Sequence, residues 1–277
     1  MQDSHVSYIK WDMNRSISEA FSGGRDADFQ GGVFHRQILG VYALYERLTT
    51  EFPEILFESC ASGGARFDPG MLYYAPQTWT SDNTDAVERL RIQYGTSYVY
   101  PLSSMGCHVS AVPNQQTFRN TSLKTRGETA LFGVFGYELD LNHLTEEEKQ
   151  EVREQIAFVK QRRKLLMEGT FYRLLNPFEG EEAAWMVVAR DQREALVGYY
   201  RLRQPSNGPF QRLYLKGLDE EICYSIQGMD REAFGDELME AGMVISDEAA
   251  GLMDTGIPQG DYQSRVFYLK ERTEVLS

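Results

Sequence analysis

Residues 8–15 read Tyr-Ile-Lys-Trp-Asp-Met-Asn-Arg, a short apolar run that closes in polar and ionisable side chains. Lys10, Asp12, Asn14 and Arg15 are thereby placed at the C-terminal end of a strand, where α/β barrels build their active sites. A first buried strand is expected over residues 6–11. A blander reading stands beside this one, in which Asp12 caps a loop and Lys10 and Arg15 are solvated.

Working outward, Val33, Phe34, Ile38, Val41, Tyr42, Leu44, Tyr45 and Leu48 recur at spacings of three and four, which predicts an amphipathic helix over 32–51 closed by Pro53. Residues 54–59 (EILFES) read as a second strand. Thr78 and Trp79 end a third, and a helix over 85–94 follows, which Gly95 can terminate. A fourth strand is expected over 97–101 and a fifth over 131–140. The next helix has clear ends: Thr145 as N-cap, Glu148 at the capping-box position, Lys160, Arg162, Arg163 and Lys164 late, then Gly169. Its charge run reads as a solvated face. Roughly five strand–helix units are too few for a closed barrel of eight. After residue 170 the pattern changes to AAWMVVAR, ALVGYYRLR, QRLYLKGL and RVFYLKE, separated by the turn-rich SNG, QGM and PQGD. The fold class expected is α/β: a partial (β/α)8 TIM barrel over residues 1–169, followed by an antiparallel β-sandwich over 170–277.

Composition narrows the partner. With 28 basic and 41 acidic residues the formal charge is −13, which disfavours nucleic acid or an anionic membrane and points to a small or neutral ligand. No apolar run approaches the roughly 20 residues that span a bilayer. Cys60, Cys107 and Cys223 are an odd, widely spaced set, fitting a reducing compartment better than an oxidising one and giving no structural zinc pattern. Nothing in the first residues reads as a secretion signal, so a cytoplasmic location is expected.

Two further segments follow predicted strands. Residues 58–68 (ESCASGGARFD) hold small residues that allow a ligand near the backbone; the alternative is a tight turn in which Cys60 is a small buried hydrophobe. Residues 79–85 (WTSDNTD) hold two aspartates: Asp85 is most economically a cap of the next helix, whereas Asp82 lies earlier in the loop. Arg89 and Arg91 follow in that helix. Together the three segments offer aromatic rings (Trp11, Trp79), two carboxylates on different strand ends (Asp12, Asp82) and a basic group (Lys10), the parts of a glycosidase site. His35 and His143 read as surface groups, and His5 and His108 lie near the motif segments.

These three motifs, YIKWDMNR, ESCASGGARFD and WTSDNTDAVERL, in this order, resemble the barrel motifs of the glycoside hydrolase family 36 α-galactosidases of the bacterial multidomain type. The resemblance covers most of residues 5–115. GTSYVYPLSSMGCHVSAVPN is similar to the later part of that barrel, and the C-terminal β region to the family's antiparallel domain. It implies retaining hydrolysis of terminal α-galactosides such as melibiose and raffinose-type oligosaccharides, with Asp12 as nucleophile and Asp82 as general acid/base. Lys10 and Asn14 match groups that hydrogen-bond galactose hydroxyls, Cys60 and Gly63 match the loop that shapes the sugar pocket, and Trp79 is read as a further substrate-binding residue. A retaining glycosidase needs its two carboxyls about 5–5.5 Å apart, with Asp12 kept ionised by Lys10 and the acid form of Asp82 favoured by its charged partner. The implied partner is a small-molecule α-galactoside; no metal or cofactor is called for, and the family tends to form oligomers. Family members are longer, with a large N-terminal β domain and the first barrel strands ahead of the KWDMN strand, so this chain is expected to be weak or inactive alone. Two alternatives remain: a galactosyl transferase or N-acetylgalactosamine-directed glycosidase, and a non-catalytic carbohydrate-binding remnant.

Overall fold

The computed structural model describes residues 5–14, 17–206, 211–227, 229, 231–245 and 260–272; Arg15 and parts of the SNG, QGM and PQGD turns lie outside them. The elements fall in two compact units, Met1–Asp82 with Ser104–Gly106, and Asn83–Ser103 with Cys107–Ser277.

The first half of the chain alternates strands and helices. β1 (Tyr8–Asp12), β2 (Leu56–Cys60), β3 (Gln77–Trp79), β4 (Met105–Ser110) and β5 (Val134–Glu138) lie side by side in chain order in one five-stranded sheet. The first three pairings are parallel, with Lys10 opposite Glu58, Asp12 opposite Cys60 and Trp79 opposite Gly106. Between the strands run α1 (Ala27–Gln30), α2 (Val33–Glu51), α3 (Pro69–Tyr74), α4 (Ala86–Thr96) and α5 (Leu123–Ala130); α6 (Glu146–Glu168) closes the series. This is part of a (β/α)8 barrel. The two-residue period of β1 sorts its side chains: Ile9 and Trp11 pack with Val41, Tyr45 and Phe57 beneath α2, and Tyr8, Lys10 and Asp12 take the other face.

Helix signals were legible where side chains cap backbone. Asp85 accepts from the N–H groups of Val87 and Glu88 and caps α4, and Thr145 and Glu148 form a reciprocal capping box on α6. Gly95 does not end α4, which continues to Thr96. Residues 97–101 are not a strand. The amides of Tyr98, Val99 and Tyr100 turn back to the carbonyls of Gly95 and Thr96, so helical turns outcompete β-propensity, and Tyr98 and Val99 are left exposed. The fourth strand is Met105–Ser110 instead. The fifth is shorter than its apolar run, because Leu131 is the C-cap of α5. Gly169 follows α6 in an extended conformation; it is small because a Cβ there would meet Val187 Cγ1 at 2.5 Å.

The later residues form an antiparallel six-stranded sheet in the order β11-β10-β13-β8-β7-β6 and a two-stranded pair, β12 with β9. Their ranges are β6 (Thr170–Leu175), β7 (Glu182–Val188), β8 (Glu194–Arg201), β9 (Gln211–Leu213), β10 (Cys223–Gln227), β11 (Arg231–Phe234), β12 (Met243–Ile245) and β13 (Gln263–Glu271). QRLYLKGL thus yields only three strand residues. Ala184, Met186 and Val197 share one core with Leu213, Met243 and Ile245 of the small pair. The opposite face of the same strands is also covered, since Trp185 meets Phe132 with ring centroids 5.8 Å apart. Burial on both faces accounts for continuous rather than alternating apolar runs in β7 and β8. Among the described residues no helix is long and apolar enough to cross a membrane.

Where α5 meets β13, Thr125 donates to the Tyr262 carbonyl at 3.0 Å, and Glu128 holds one carboxyl oxygen buried without a partner. Burial pushes the Glu128 acid upward, against the opposing pull of Lys124, Ser264, Arg265 and the Val266 amide. A raised acid contributes stability that is present below its unfolded titration range and lost as pH rises through the folded value. Glu128→Gln should therefore raise the urea midpoint at pH 8 and leave it near wild type at pH 4. A midpoint unchanged at both pH values would remove Glu128 from the account.

Candidate active site

Asp12 ends β1 on the face away from the α2 core and is exposed. Asn14, two residues on, donates its amide to Asp12 Oδ2 at 2.8 Å and accepts from the backbone N–H of Ser62 at 2.6 Å. Both ends of the Asn14 amide are thus engaged within the protein. Arg66 clamps the same corner from below, its Nη2 donating to the carbonyls of Met13 and Cys60 at 2.7 and 3.0 Å. Burial acts to raise the Asp12 carboxyl, but hydrogen bonds from Asn14, the Cys60 thiol and the Ser62 amide, with the charge of Lys10, hold it below the usual carboxylate range. Lys10 ranks last among these causes, so hydrogen bonds more than the lysine keep Asp12 ionised.

Cys60 is 2% exposed. Burial pushes its thiol up to about 11, with Asp12 adding to the rise and the Gly63 backbone and Lys10 opposing it. It is therefore a thiol donor to Asp12 rather than a nucleophile.

The turn after β2 explains its glycines. Ala61 donates to the Gly63 carbonyl at 2.8 Å, and Gly64 donates to the Thr80 carbonyl at 3.1 Å. Gly63 has φ +83°, and a Cβ on it would lie 2.8 Å from Ser81 Cα and 3.2 Å from the Asp82 nitrogen. The turn is pressed against the backbone that carries Asp82, and only a residue without a side chain fits. Gly63 thus shapes the approach of two protein loops.

Asp82 is exposed, and the indole N–H of Trp79 donates to its Oδ1 at 3.1 Å. Trp79 is 2% exposed and carries the Lys10 ammonium 4.2 Å above its ring. Trp11 faces away from Asp12, its ring centroid 4.8 Å from that of Tyr45 with the planes tilted by 34°, so the strand period removes it as a sugar platform. Asp85 is the buried cap foreseen, and it also accepts from Thr117 and Arg119. Arg89 is buried and donates to Cys107 at 3.2 Å, and Arg91 donates to the Pro177 carbonyl at 3.2 Å. His5, His35 and His143 are exposed; His108 lies on β4, 3.8 Å from Glu138.

The sequence reading passed over Ser62, Arg66 and the layer beneath the site, where buried Glu58 accepts from Tyr8 and from Gln77. The alternation Tyr8, Lys10, Asp12 was the available signal, since it continues the polar face downward. Among the described residues no group of three or more His, Cys, Asp or Glu is arranged to hold a metal ion.

Comparison with known proteins bears on this geometry. The Melibiase family profile matches residues 1–169, and the glycosyl hydrolase family 36 C-terminal domain matches residues 182–269. The chain belongs to glycoside hydrolase family 36. Among its relatives are alpha-galactosidase AgaA of Geobacillus stearothermophilus, 58% identical over 240 residues that cover 87% of this chain and 33% of the relative, and alpha-galactosidase 1 of Pediococcus pentosaceus, 46% identical over 274 residues, 99% of this chain and 36% of the relative. A crystal structure of substituted AgaA in complex with raffinose superposes with a TM-score of 0.90 at 52% identity, covering 98% of this chain and 36% of that one. The alpha-galactosidase from Lactobacillus brevis does so with a TM-score of 0.90 at 48% identity, with the same coverage. This family 36 chain spans about a third of the length of the relatives it matches.

Two outcomes follow for the site. Gly63→Ala should cost about 2 kcal/mol or more, from strain at positive φ and a backbone clash, read as a lower urea midpoint; an unchanged midpoint would show that the two loops are not in contact. Asn14→Ala should move the Asp12 titration, followed by carboxyl carbon NMR, up toward the ordinary aspartate range. A curve identical to wild type would contradict the hydrogen-bond account.

Proposed function

We propose that this chain carries the two catalytic carboxylates of an α-galactosidase acting on terminal α-galactosides of the melibiose and raffinose type. The observation that carries the reading is the pair Asp12 and Asp82, at the C-terminal end of β1 and just after that of β3, the two parallel strands that flank β2, with Asp12 held ionised by donors and Asp82 engaged at Oδ1 by Trp79. A second observation supports the assignment. Two AgaA structures with bound oligosaccharide, one with raffinose and one with stachyose, each carry a replaced aspartate, and those aspartates are 70 positions apart, the separation of Asp12 and Asp82.

The chemistry is a double displacement. An Asp12 carboxylate oxygen attacks the anomeric carbon as the bond to the leaving oxygen breaks, and Asp82 gives its proton to that oxygen. Water then attacks the same carbon, Asp82 takes the water's proton, and the Asp12–sugar ester breaks to release galactose. Asp82, having given up its proton in the first step, is left as the carboxylate that the second step needs as a base, and esterified Asp12 no longer carries a negative charge to oppose that ionised form.

By itself the 277-residue chain should turn over slowly or not at all. Tyr8 is 43% exposed, and Lys10 and Asp12 are exposed beside it, so a sugar on this face is held from one side only, and positioning supplies much of the barrier reduction.

The test is a chimera in which these 277 residues replace the matching segment of AgaA. It should release galactose from raffinose, and Asp12→Asn or Asp82→Asn should each lower kcat at least about a hundredfold. An inactive but folded chimera would overturn the reading, and raffinose turnover by the isolated chain equal to the chimera's would overturn the expectation of weakness.

A further inference from the structure

Trp79 has the sequence position of a sugar platform but not the surroundings of one. Its ring is 2% exposed. One face carries the Lys10 ammonium at 4.2 Å. Against its edge lies β4, where a Cβ on Gly106 would come within 3.0 Å of Trp79 Cε3, so that strand has a glycine where the indole needs room. The indole has one donor, Nε1–H, and it is spent on Asp82 Oδ1 at 3.1 Å.

From this arrangement we infer that Trp79 is a positioning residue that decides which oxygen of Asp82 carries the catalytic proton. The hydroxyl oxygen of a carboxylic acid is a weaker hydrogen-bond acceptor than its carbonyl oxygen, so an indole N–H fixed on Oδ1 favours the acid form in which Oδ1 is the carbonyl. The proton therefore resides on Oδ2, the oxygen left to face the leaving group. The cation over the ring draws electron density from the indole and makes its N–H a stronger donor, so Lys10 acts on Asp82 through Trp79 as well as on Asp12 through space. The inference rests on the proposed acid/base role of Asp82, and it adds which oxygen does the work and what selects it.

Two measurements test it. Trp11, Trp79 and Trp185 are the tryptophans of the chain, so three indole N–H resonances are expected in a nitrogen-15 labelled sample, assigned by Trp→Phe substitution. The Trp79 resonance should shift as pH is lowered from 8 through the carboxylate range, and the shift should vanish in Asp82→Asn while Trp11 and Trp185 stay put. This needs no turnover, so a chimera without activity would defeat the proposed function without touching the result. A Trp79 resonance indifferent to pH and to Asp82→Asn would overturn the inference. In the AgaA chimera, Trp79→Phe keeps the ring and removes the donor. It should lower kcat on melibiose, whose leaving oxygen needs a proton, at least about tenfold more than on a 4-nitrophenyl α-galactoside, whose leaving group needs little help. Equal losses on the two substrates, the mark of a merely structural tryptophan, would also overturn it.

Discussion

The close approach of the 61–64 turn to the Ser81–Asp82 backbone is the contact on which the rest of the site depends. It exists because Gly63 has no side chain and tolerates a left-handed backbone. Through that contact the loop that braces Asp12 touches the loop that carries Asp82. A methyl group at residue 63 would hold the two apart by more than ordinary van der Waals contact allows, and nothing else in the segment could give way except backbone.

Around this contact the functional groups form a closed circuit. Asp12 is bound by Asn14, Asn14 by Ser62, and the turn following Ser62 abuts Asp82. Asp82 is bound by Trp79, whose ring lies under Lys10, and the charge of Lys10 returns to Asp12. Each carboxylate is oriented by a side chain that is itself engaged elsewhere, which is how a site on loops gains the precision of one on rigid elements. The two carboxylates also differ in their surroundings. Asp12 gathers donors that favour its charged form, whereas Asp82 takes the indole N–H of Trp79 on Oδ1.

Much of this could be read from the chain alone. The three motifs put Asp12, Cys60, Gly63 and Asp82 at strand ends, and caps at Asp85 and Thr145 marked helix starts because their hydrogen bonds reach only three residues. Failures arose where local preference competed with distant partners. Residues 97–101 have a strand's composition but finish a helix, whereas Met105–Ser110 forms the strand because Trp79 offers it a partner across a glycine. α3 went unread although Asp68 caps it and Pro69 opens it, because six residues are too few to show a period. Both tryptophans looked like sugar platforms, yet alternation along β1 turns Trp11 to the helix side.

The sequence by itself determined the order of Asp12 and Asp82 along the chain, the alternation that separates Lys10 and Asp12 from Trp11, and the change from strand–helix units to antiparallel strands near residue 170. These are matters of residue type and of periods two to four residues long. Only the tertiary structure decided that Asn14 would link Asp12 to an amide 48 residues away, that Gly63 serves a contact between loops, and that the one donor of Trp79 goes to Asp82. Such pairings depend on distances between separate strand ends, set by register and close packing across the sheet, and no local pattern of residues encodes them.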